Sequence, residues 1–324
     1  MIKEQSYAIK VIRCIAVILI FSCHILQSQN SSLALWLNTG VQIFFLISGT
    51  LFGSKIILNK RQWYKKRFIR ILKPYYIYIF FILMILSIFY NKEISFKLVL
   101  IYLINMQGIL GNILALGHLW YIPLMLFCYI ITPYLFKYKA KGELKFFIYL
   151  LILVAISELL FKKISMNFAP GIISFAIGFY FSNRYKCNFI KKYYICVLFL
   201  TIVLLPINVF LLYNIIKLNN IYGEIANFEF YFYHVFLGCT IFFSLFFIFS
   251  NLKAYKNKPI DFIDKYSYEI YLTHHIFILG TLSIIHISKY LLLNIILVIL
   301  ATSTSALILK KVSNVKLNKA ILRI

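Results

Sequence analysis

The chain has 324 residues, of which 62% are hydrophobic and only 13% are charged. Its mean hydropathy of +0.88 lies far outside the range of soluble domains and predicts a polytopic membrane protein. The net charge of +25 would suggest nucleic-acid binding in a soluble protein, but the basic residues cluster in short loops between apolar segments, so we expect no nucleic-acid partner.

The first apolar segment, Ala8 to Leu26, places an arginine and a histidine inside a predicted membrane span. A charged side chain near the bilayer centre costs about 2.5 to 3.5 kcal/mol, so such residues indicate function. Arg13 and His24 are eleven residues apart, which returns to nearly the same helix face. At a rise of about 1.5 Å per residue they are about 16 Å apart, so we expect Arg13 near the cytoplasmic leaflet and His24 near the outer one.

The second apolar segment, from about Leu37 to Leu58, contains Ser48, Gly49 and Gly53. Such small residues let neighbouring helices approach closely. The loop that follows is the most basic in the chain and ends at Pro74, where we expect the third span to start. Its density of cations marks this loop as cytoplasmic.

Residues 98–116 are apolar but interrupted by amide and glycine residues, so they could either cross the membrane or fold back. If they crossed, the later basic loops would lie outside the cell. The positive-inside rule therefore favours a re-entrant or interfacial segment in an all-α polytopic fold of about ten transmembrane helices with both termini cytoplasmic. We expect a single domain over residues 1–324. The later spans are predicted at about 118–136, 146–162, 166–182, 193–216, 228–250, 266–286 and 288–309.

Two polar clusters could carry chemistry in addition to Arg13 and His24. His118 and Trp120 begin the fourth span at the predicted level of His24, although an interfacial aromatic belt with a solvated histidine would have the same pattern. Tyr271, His274 and His275 lie about one turn apart in the ninth span. The alternative for these three residues is a set of hydrogen bonds that joins helices.

The basic loop contains Arg67 and Arg70 three residues apart, on one face of a predicted amphipathic helix. Arginine binds phosphate oxygens with two parallel hydrogen bonds, which suits a phosphorylated ligand at the cytoplasmic surface. Anionic lipid headgroups are the competing explanation for the basic loop. The six cysteines have no metal-type spacing, so we expect neither disulfides nor a metal site.

Five motifs in chain order resemble those of the acyltransferase 3 family of bacterial integral-membrane O-acyltransferases. The first is the R-x10-H spacing of Arg13 and His24. The second is the segment from Gly40 to Gly49, which is similar to the family's G-V-D-x-F-F-x-x-S-G. The other three are Arg67-x-x-Arg70-x-x-x-Pro74-x-Tyr76, then His118-Leu-Trp120-Tyr with Pro133 thirteen residues after the tryptophan, and Tyr268-x-Ile-Tyr271-Leu-x-His274-His275.

The resemblance implies an O-acetyltransferase that takes an acyl group, usually acetyl, from cytoplasmic acetyl-CoA. The acceptor would be a hydroxyl of a cell-surface polysaccharide or lipid-linked sugar, so the reaction would modify the cell envelope. The resemblance also implies a multi-pass protein of the bacterial cytoplasmic membrane, in contact with membrane lipids and without a metal.

The family's essential Arg and His correspond to Arg13 and His24. A neutral imidazole at His24 suits a general base, or a nucleophile that takes the acyl group itself. Arg13 could hold the CoA end or polarise the thioester carbonyl. Candidates for binding the donor are Arg67, Arg70 and Tyr76. Candidates for a substrate site or supporting polar site are His118, Trp120, Tyr271, His274 and His275.

The chain departs from the family pattern at two places. Gln42 stands where many members have Asp, and Met125 and Leu126 stand where many have paired Glu. In lacking the paired acids, the chain resembles the branch of the family associated with surface-polysaccharide modification, whose members also lack them. This absence also keeps open a different class of function, a glycan or lipid transporter without acyl transfer.

Overall fold

The computed structural model describes residues 3–55, 57–90, 95–111, 114–161, 168–182, 188–215, 221–253, 255 and 257–315. Within these ranges the chain is almost entirely α-helical and forms no strand. The helices are α1 (Lys3–Ser28), α2 (Leu33–Leu37), α3 (Thr39–Gly53), α4 (Lys60–Tyr90), α5 (Phe96–Leu103), α6 (Tyr121–Ala140), α7 (Glu143–Phe161), α8 (Phe168–Phe181), α9 (Asn188–Ile215), α10 (Ile221–Ser250), α11 (Lys258–Ile278) and α12 (Leu291–Asn314). A 3-10 helix, Leu114–Trp120, precedes α6.

Several helices are suited to a lipid bilayer. Six segments of the described chain are long and apolar enough to cross a membrane: Gln5–Ser28, Leu33–Gly53, Lys60–Ile88, Leu116–Ala140, Phe230–Ser250 and Leu291–Asn314. The predicted all-α, multi-pass membrane architecture is therefore confirmed. The total of about ten spans and the cytoplasmic placement of both termini stay predictions.

The predicted amphipathic helix around Arg67 and Arg70 is part of α4, which begins at Lys60 and continues into the span predicted to start at Pro74. Asn59 stabilises this start because its side-chain oxygen accepts a hydrogen bond from the Gln62 backbone N–H at 3.0 Å. Most of the basic loop is thus the first half of α4. The helix continues through Pro74, which cannot donate the helical hydrogen bond to the carbonyl of Arg70.

Residues 98–111 of the apolar segment 98–116 lie beside α4 and turn back at Gly108. Helix α5 has eight residues, about 12 Å at 1.5 Å per residue, too short to span a bilayer. The Tyr75 hydroxyl donates to the Tyr102 carbonyl at 2.8 Å and fixes the end of α5 against the middle of α4. The chain then turns at Gly108, where φ is +75° and a Cβ atom would lie 2.5 Å from the Trp120 side chain. This conformation agrees with the predicted re-entrant or interfacial segment.

Helices α3 and α8 cross at very short range. A Cβ atom added at Gly49 would lie 2.0 Å from the Phe175 carbonyl oxygen, and one at Gly178 would lie 2.2 Å from the Leu46 carbonyl oxygen. At Gly53 the corresponding contact, with the Phe179 carbonyl oxygen, is 2.4 Å. The prediction that the small residues of the second span allow close packing is confirmed for Gly49 and Gly53.

Tyrosine hydroxyls join neighbouring elements by donating to backbone carbonyls. A carbonyl oxygen has two lone pairs, so it can accept such a bond in addition to its helical one. The described residues include bonds of this kind from Tyr64 to Ile130, Tyr75 to Tyr102, Tyr76 to Leu103, Tyr233 to Thr201, Tyr268 to Ile71 and Tyr271 to His118.

Charged side chains gather at one end of the helix bundle. Lys10 near the start of α1 pairs with Asp261 near the start of α11 at 2.7 Å. Lys73 in the first half of α4 donates to the carbonyl of Val315, just after the end of α12, at 2.9 Å. The beginnings of α1, α4 and α11 and the end of α12 therefore lie together.

Candidate active site

Arg13 and His24 both face α11. A guanidinium nitrogen of Arg13 forms an ion pair with Asp264 near the start of α11. The ring of His24 packs against His274 and His275, with ring centroids 5.1 Å and 4.8 Å away. The shared face of α1 thus contacts one helix at two levels.

Four histidines from three elements form a cluster: His24 of α1, His118 of the 3-10 helix, and His274 and His275 of α11. His118 stacks on His275 with ring centroids 4.5 Å apart, and its centroid lies 5.4 Å from that of His274. Within the described part of the chain, no group of three or more His, Cys, Asp or Glu residues could hold a metal ion. The cluster is therefore best described as imidazole rings in face and edge contact.

In three of these rings, one nitrogen lies within hydrogen-bond distance of an oxygen atom. These contacts indicate which nitrogen of the ring carries the proton. Nδ1 of His24 lies 3.1 Å from Oε1 of Gln27, Nε2 of His118 lies 3.1 Å from the Leu272 carbonyl, and Nδ1 of His274 lies 2.8 Å from the Tyr271 carbonyl. If each of these nitrogens donates its proton, the other nitrogen of each neutral ring is an acceptor. Nδ1 of His118 and Nε2 of His274 are buried and have no hydrogen-bond partner among the described residues.

Tyr271 joins the 3-10 helix to α11. Its hydroxyl donates to the His118 carbonyl, while the His118 ring donates to the Leu272 carbonyl. These reciprocal bonds fix the position of His118 relative to α11. They agree with the helix-joining alternative for Tyr271, whose ring also contributes to the cavity described next.

A cavity of about 200 Å³ lies between α1, α3, α4, α6, α11 and α12. Lys55, Arg67 and Arg70 line it, and so do Tyr121 and Tyr271. A second space of about 10 Å³, roughly enough for one water, shares three lining residues with the cavity and also touches the His274 side chain. The lining residues common to both are Ile20, Phe44 and Tyr271. The cavity therefore approaches the histidine cluster.

The cations at this cavity are crowded. The Arg67 guanidinium lies 4.7 Å from the centre of the Phe52 ring, a cation–π contact that fixes its position. Partial burial lowers the pKa of Lys55, and the nearby charges of Arg67 and Arg70 lower this pKa further. Like charges held this close repel one another, so binding of an anion between them is electrostatically favourable.

The structure adds acidic partners that the sequence analysis did not predict as site residues. Asp264 pairs with Arg13, and Glu269 accepts a hydrogen bond from Lys310 of α12 at 2.7 Å. All four residues line the cavity. One available signal was the eleven-residue spacing from Asp264 to His275, which repeats the spacing from Arg13 to His24.

Several predicted site residues do not line the cavity: His24, His118, His274 and His275 of the histidine cluster, and Tyr76 and Trp120. The Tyr76 hydroxyl donates to the Leu103 carbonyl and accepts from Asn105, both at the folded-back segment. Trp120 packs against Gly108. Gln42, at the departure from the family pattern, is buried and accepts a hydrogen bond from Ser174 of α8 at 2.9 Å. Tyr76, Trp120 and Gln42 therefore support the fold around the site.

Comparison with known proteins identifies one family. The model of the acyltransferase 3 family, described as an acyltransferase domain, matches residues 6–310, nearly the whole chain. The matched range contains the cavity lining and the histidine cluster. No curated protein and no solved structure matches the chain.

Proposed function

Because the chain belongs to the acyltransferase 3 family, and is thus a membrane acyltransferase, we propose that it is an O-acetyltransferase. It takes the acetyl group from cytoplasmic acetyl-CoA and transfers it to a hydroxyl of a cell-surface polysaccharide or lipid-linked sugar in the bacterial cytoplasmic membrane. One observation carries the proposal: a cavity with a cationic lining approaches the cluster of four histidines.

The cationic lining suits the phosphates of the donor. Arg67 can bind phosphate oxygens with two parallel hydrogen bonds, and Arg70 and Lys55 add charge beside it. The exposed Lys65 and Lys66 border a neighbouring surface groove together with Arg70. The nucleotide part of CoA would lie against these cations, with its thioester arm inside the cavity.

The histidines suit the removal of a proton from the acceptor. The hydroxyl oxygen attacks the thioester carbonyl carbon, the carbon–sulfur bond breaks, and the hydroxyl proton passes to Nε2 of His24. The departing CoA thiolate then takes this proton from Nε2 of His24, which leaves His24 neutral again. In a two-step version, Nε2 of His24 first accepts the acetyl group from CoA and then passes it to the hydroxyl.

Arg13 has a more indirect role in this proposal. Its ion pair with Asp264 supports an interpretation in which Arg13 aligns α1 with α11 at the donor end of the cavity. The guanidinium is about one-fifth exposed and lines the cavity, so a contact with the donor is compatible with the pair.

Radiolabelled acetyl-CoA tests the proposal directly. Purified protein in lipid nanodiscs should bind acetyl-CoA, release CoA thiol and transfer the label when a saccharide acceptor is added. Without the acceptor, a one-step reaction should transfer no label. A two-step reaction should label each protein molecule once. A protein that moves a saccharide across proteoliposomes but neither binds acetyl-CoA nor releases thiol would instead be a transporter.

A further inference from the structure

Glu269 has a buried carboxylate oxygen that accepts no hydrogen bond from the described residues. Its side chain is only 2% exposed, and Lys310 occupies Oε1. Oε2 is buried and has no hydrogen-bond partner in the part of the chain that the structure describes. A buried carboxylate oxygen without a donor destabilises the fold, so a donor at Oε2 is expected in the working state of the protein.

The same cavity contains an unused donor on another helix. Nε of Arg67, on α4, is buried and also lacks a partner among the described residues. Arg67 and Glu269 both line the cavity. Two residues of the cavity wall therefore each contain a buried polar atom, one donor and one acceptor, that has no partner among the described residues.

The rest of the lining limits the chemistry of that ligand. Apolar side chains of four helices form much of the wall: Ile20, Phe44, Ile47, Leu51, Ile71 and Met125. A secondary amide has one N–H and one C=O, and a chain of amides separated by methylene groups matches both the polar pair and the apolar wall. Phosphate or carboxylate alone would satisfy Arg67 but offers no N–H to Glu269.

We propose that Glu269 binds the acyl-CoA substrate. Its Oε2 accepts a hydrogen bond from an amide N–H of the pantetheine arm. This inference rests on the proposed function, because it assumes that acyl-CoA occupies the cavity. Arg67 donates from Nε to an amide carbonyl of the same arm. The hydrogen bond from Lys310 to Oε1 holds the Glu269 side chain in one orientation, so Oε2 is fixed in place.

A purely structural ion pair between α11 and α12 is the competing explanation for Glu269. It accounts for Oε1, which bonds Lys310, but gives Oε2 no partner. The two explanations differ in their dependence on the ligand. If Glu269 only forms a structural ion pair, the Kd does not depend on whether the ligand has an amide N–H. If Glu269 binds that N–H, the Kd rises when the N–H is removed.

The experiment compares protein variants with ligand variants. Wild type, Glu269→Gln and the control Glu143→Gln are placed in nanodiscs, and their Kd values are measured for acetyl-CoA and for two analogues. Each analogue has one pantetheine amide N–H replaced by CH2. Glu143 is a suitable control because it is an exposed carboxylate on α7 that does not line the cavity.

We expect Glu269→Gln to raise the Kd for acetyl-CoA about tenfold or more, the usual effect of losing a hydrogen bond to a charged group. Glu143→Gln should keep the wild-type Kd. For wild type, the Kd of one analogue should be about tenfold higher than the Kd of acetyl-CoA. For Glu269→Gln, the Kd values of this analogue and of acetyl-CoA should be equal. KM should rise in Glu269→Gln while kcat changes less.

The outcomes separate this inference from the function on which it rests. If wild type does not bind acetyl-CoA, the proposed function and the inference both fail. If wild type binds acetyl-CoA and both analogues equally, the amide contact does not exist and only the inference fails, whatever the stability of Glu269→Gln.

Discussion

At the scale of single residues, the hydrogen bond between His24 and Gln27 determines which ring nitrogen is available. With Nδ1 bonded to the Gln27 side chain, Nε2 is the nitrogen that can accept a proton. His274 and His275 pack against the same ring and restrict its rotation. This setting is suited to a general base that must meet a hydroxyl in a fixed geometry.

We predict that His24→Ala lowers the rate of acetyl transfer at least about 100-fold, the usual contribution of a general base. The variant should keep near wild-type abundance in the membrane because its side chain is only partly buried. Thiol release from acetyl-CoA in nanodiscs measures the rate. His286→Ala is the matched control, since His286 is exposed and outside the cluster, and full transfer by His24→Ala would remove His24 from the mechanism.

A second prediction concerns arginine geometry at the cavity. Arg67→Lys keeps the charge but removes Nε and the planar fork, so the Kd for acetyl-CoA should rise about tenfold. Lys145→Ala, which removes an exposed charge away from the cavity and its neighbouring groove, should leave the Kd near the wild-type value. Isothermal titration in nanodiscs measures both. Equal affinities for wild type and Arg67→Lys would favour the lipid-anchoring explanation of the basic residues.

The sequence was informative about which side chains matter and uninformative about their partners. The eleven-residue spacing predicted that Arg13 and His24 share a face, and they do. Asp264 lies 251 residues from Arg13, and nothing local in the sequence indicates that α1 and α11 are neighbours. Tyr76 was predicted to bind the donor from its motif alone, but its hydroxyl is used by the folded-back segment.

At the scale of helices, α11 connects the donor end of the cavity with the histidine cluster. Asp264 and His275 are eleven residues apart on this helix, about 16 Å at 1.5 Å per residue. Their partners Arg13 and His24 have the same separation on α1. The two helices are therefore in matched register along the site.

Disruption of this register is testable. Arg13→Gln and Asp264→Asn should each lower the free energy of unfolding by about 1 to 3 kcal/mol, because a partly buried charge is left without its partner. Thermal unfolding should show this as a lower midpoint temperature. The double variant should be little worse than either single one, because both changes break the same pair. If Asp264→Asn left stability and acetyl-CoA affinity unchanged while Arg13→Gln abolished binding, Arg13 would act on the donor alone.

The crossing of α3 and α8 gives a graded prediction. Gly49→Ala should strongly reduce folded protein, because the new Cβ atom would lie 2.0 Å from a backbone oxygen that cannot move alone. Gly238→Ala is the milder comparison, since its nearest contact is the Gln42 Cβ atom at 3.0 Å. Size-exclusion chromatography of detergent extracts ranks the two. Equal yields would show that α3 and α8 can separate without cost.

The helices themselves were largely predictable from hydropathy. The start of α4 was harder to predict, because this helix includes Pro74 and the highly basic residues before it. A proline removes only one helical hydrogen bond, and the preceding residues are good helix formers, so local propensity outweighs the break. The predicted amphipathic helix around Arg67 and Arg70 is thus present, but it is continuous with the third span instead of separate from it.

For the whole molecule, the distribution of charge predicts the orientation in the membrane. The ion pairs and lysine bonds of α1, α4, α11 and α12 lie at one end, which the positive-inside rule assigns to the cytoplasm. Reporter fusions after Lys141 and at the C-terminus should report cytoplasm, and one after Ser31 should report the outer face. The 184–192 loop, also predicted to be cytoplasmic, contains residues outside the described ranges. An outer-face signal from either cytoplasmic site would invert the assignment.

The tyrosine bonds to backbone carbonyls affect how this fold can vary over evolution. Each bond needs a hydroxyl on one helix, but its acceptor is a group that every residue has. The residue opposite each tyrosine can therefore change freely in size and polarity, provided that the backbone stays in place. Such a contact produces no covarying pair, so these junctions between helices would be invisible to methods that infer contacts from correlated substitutions.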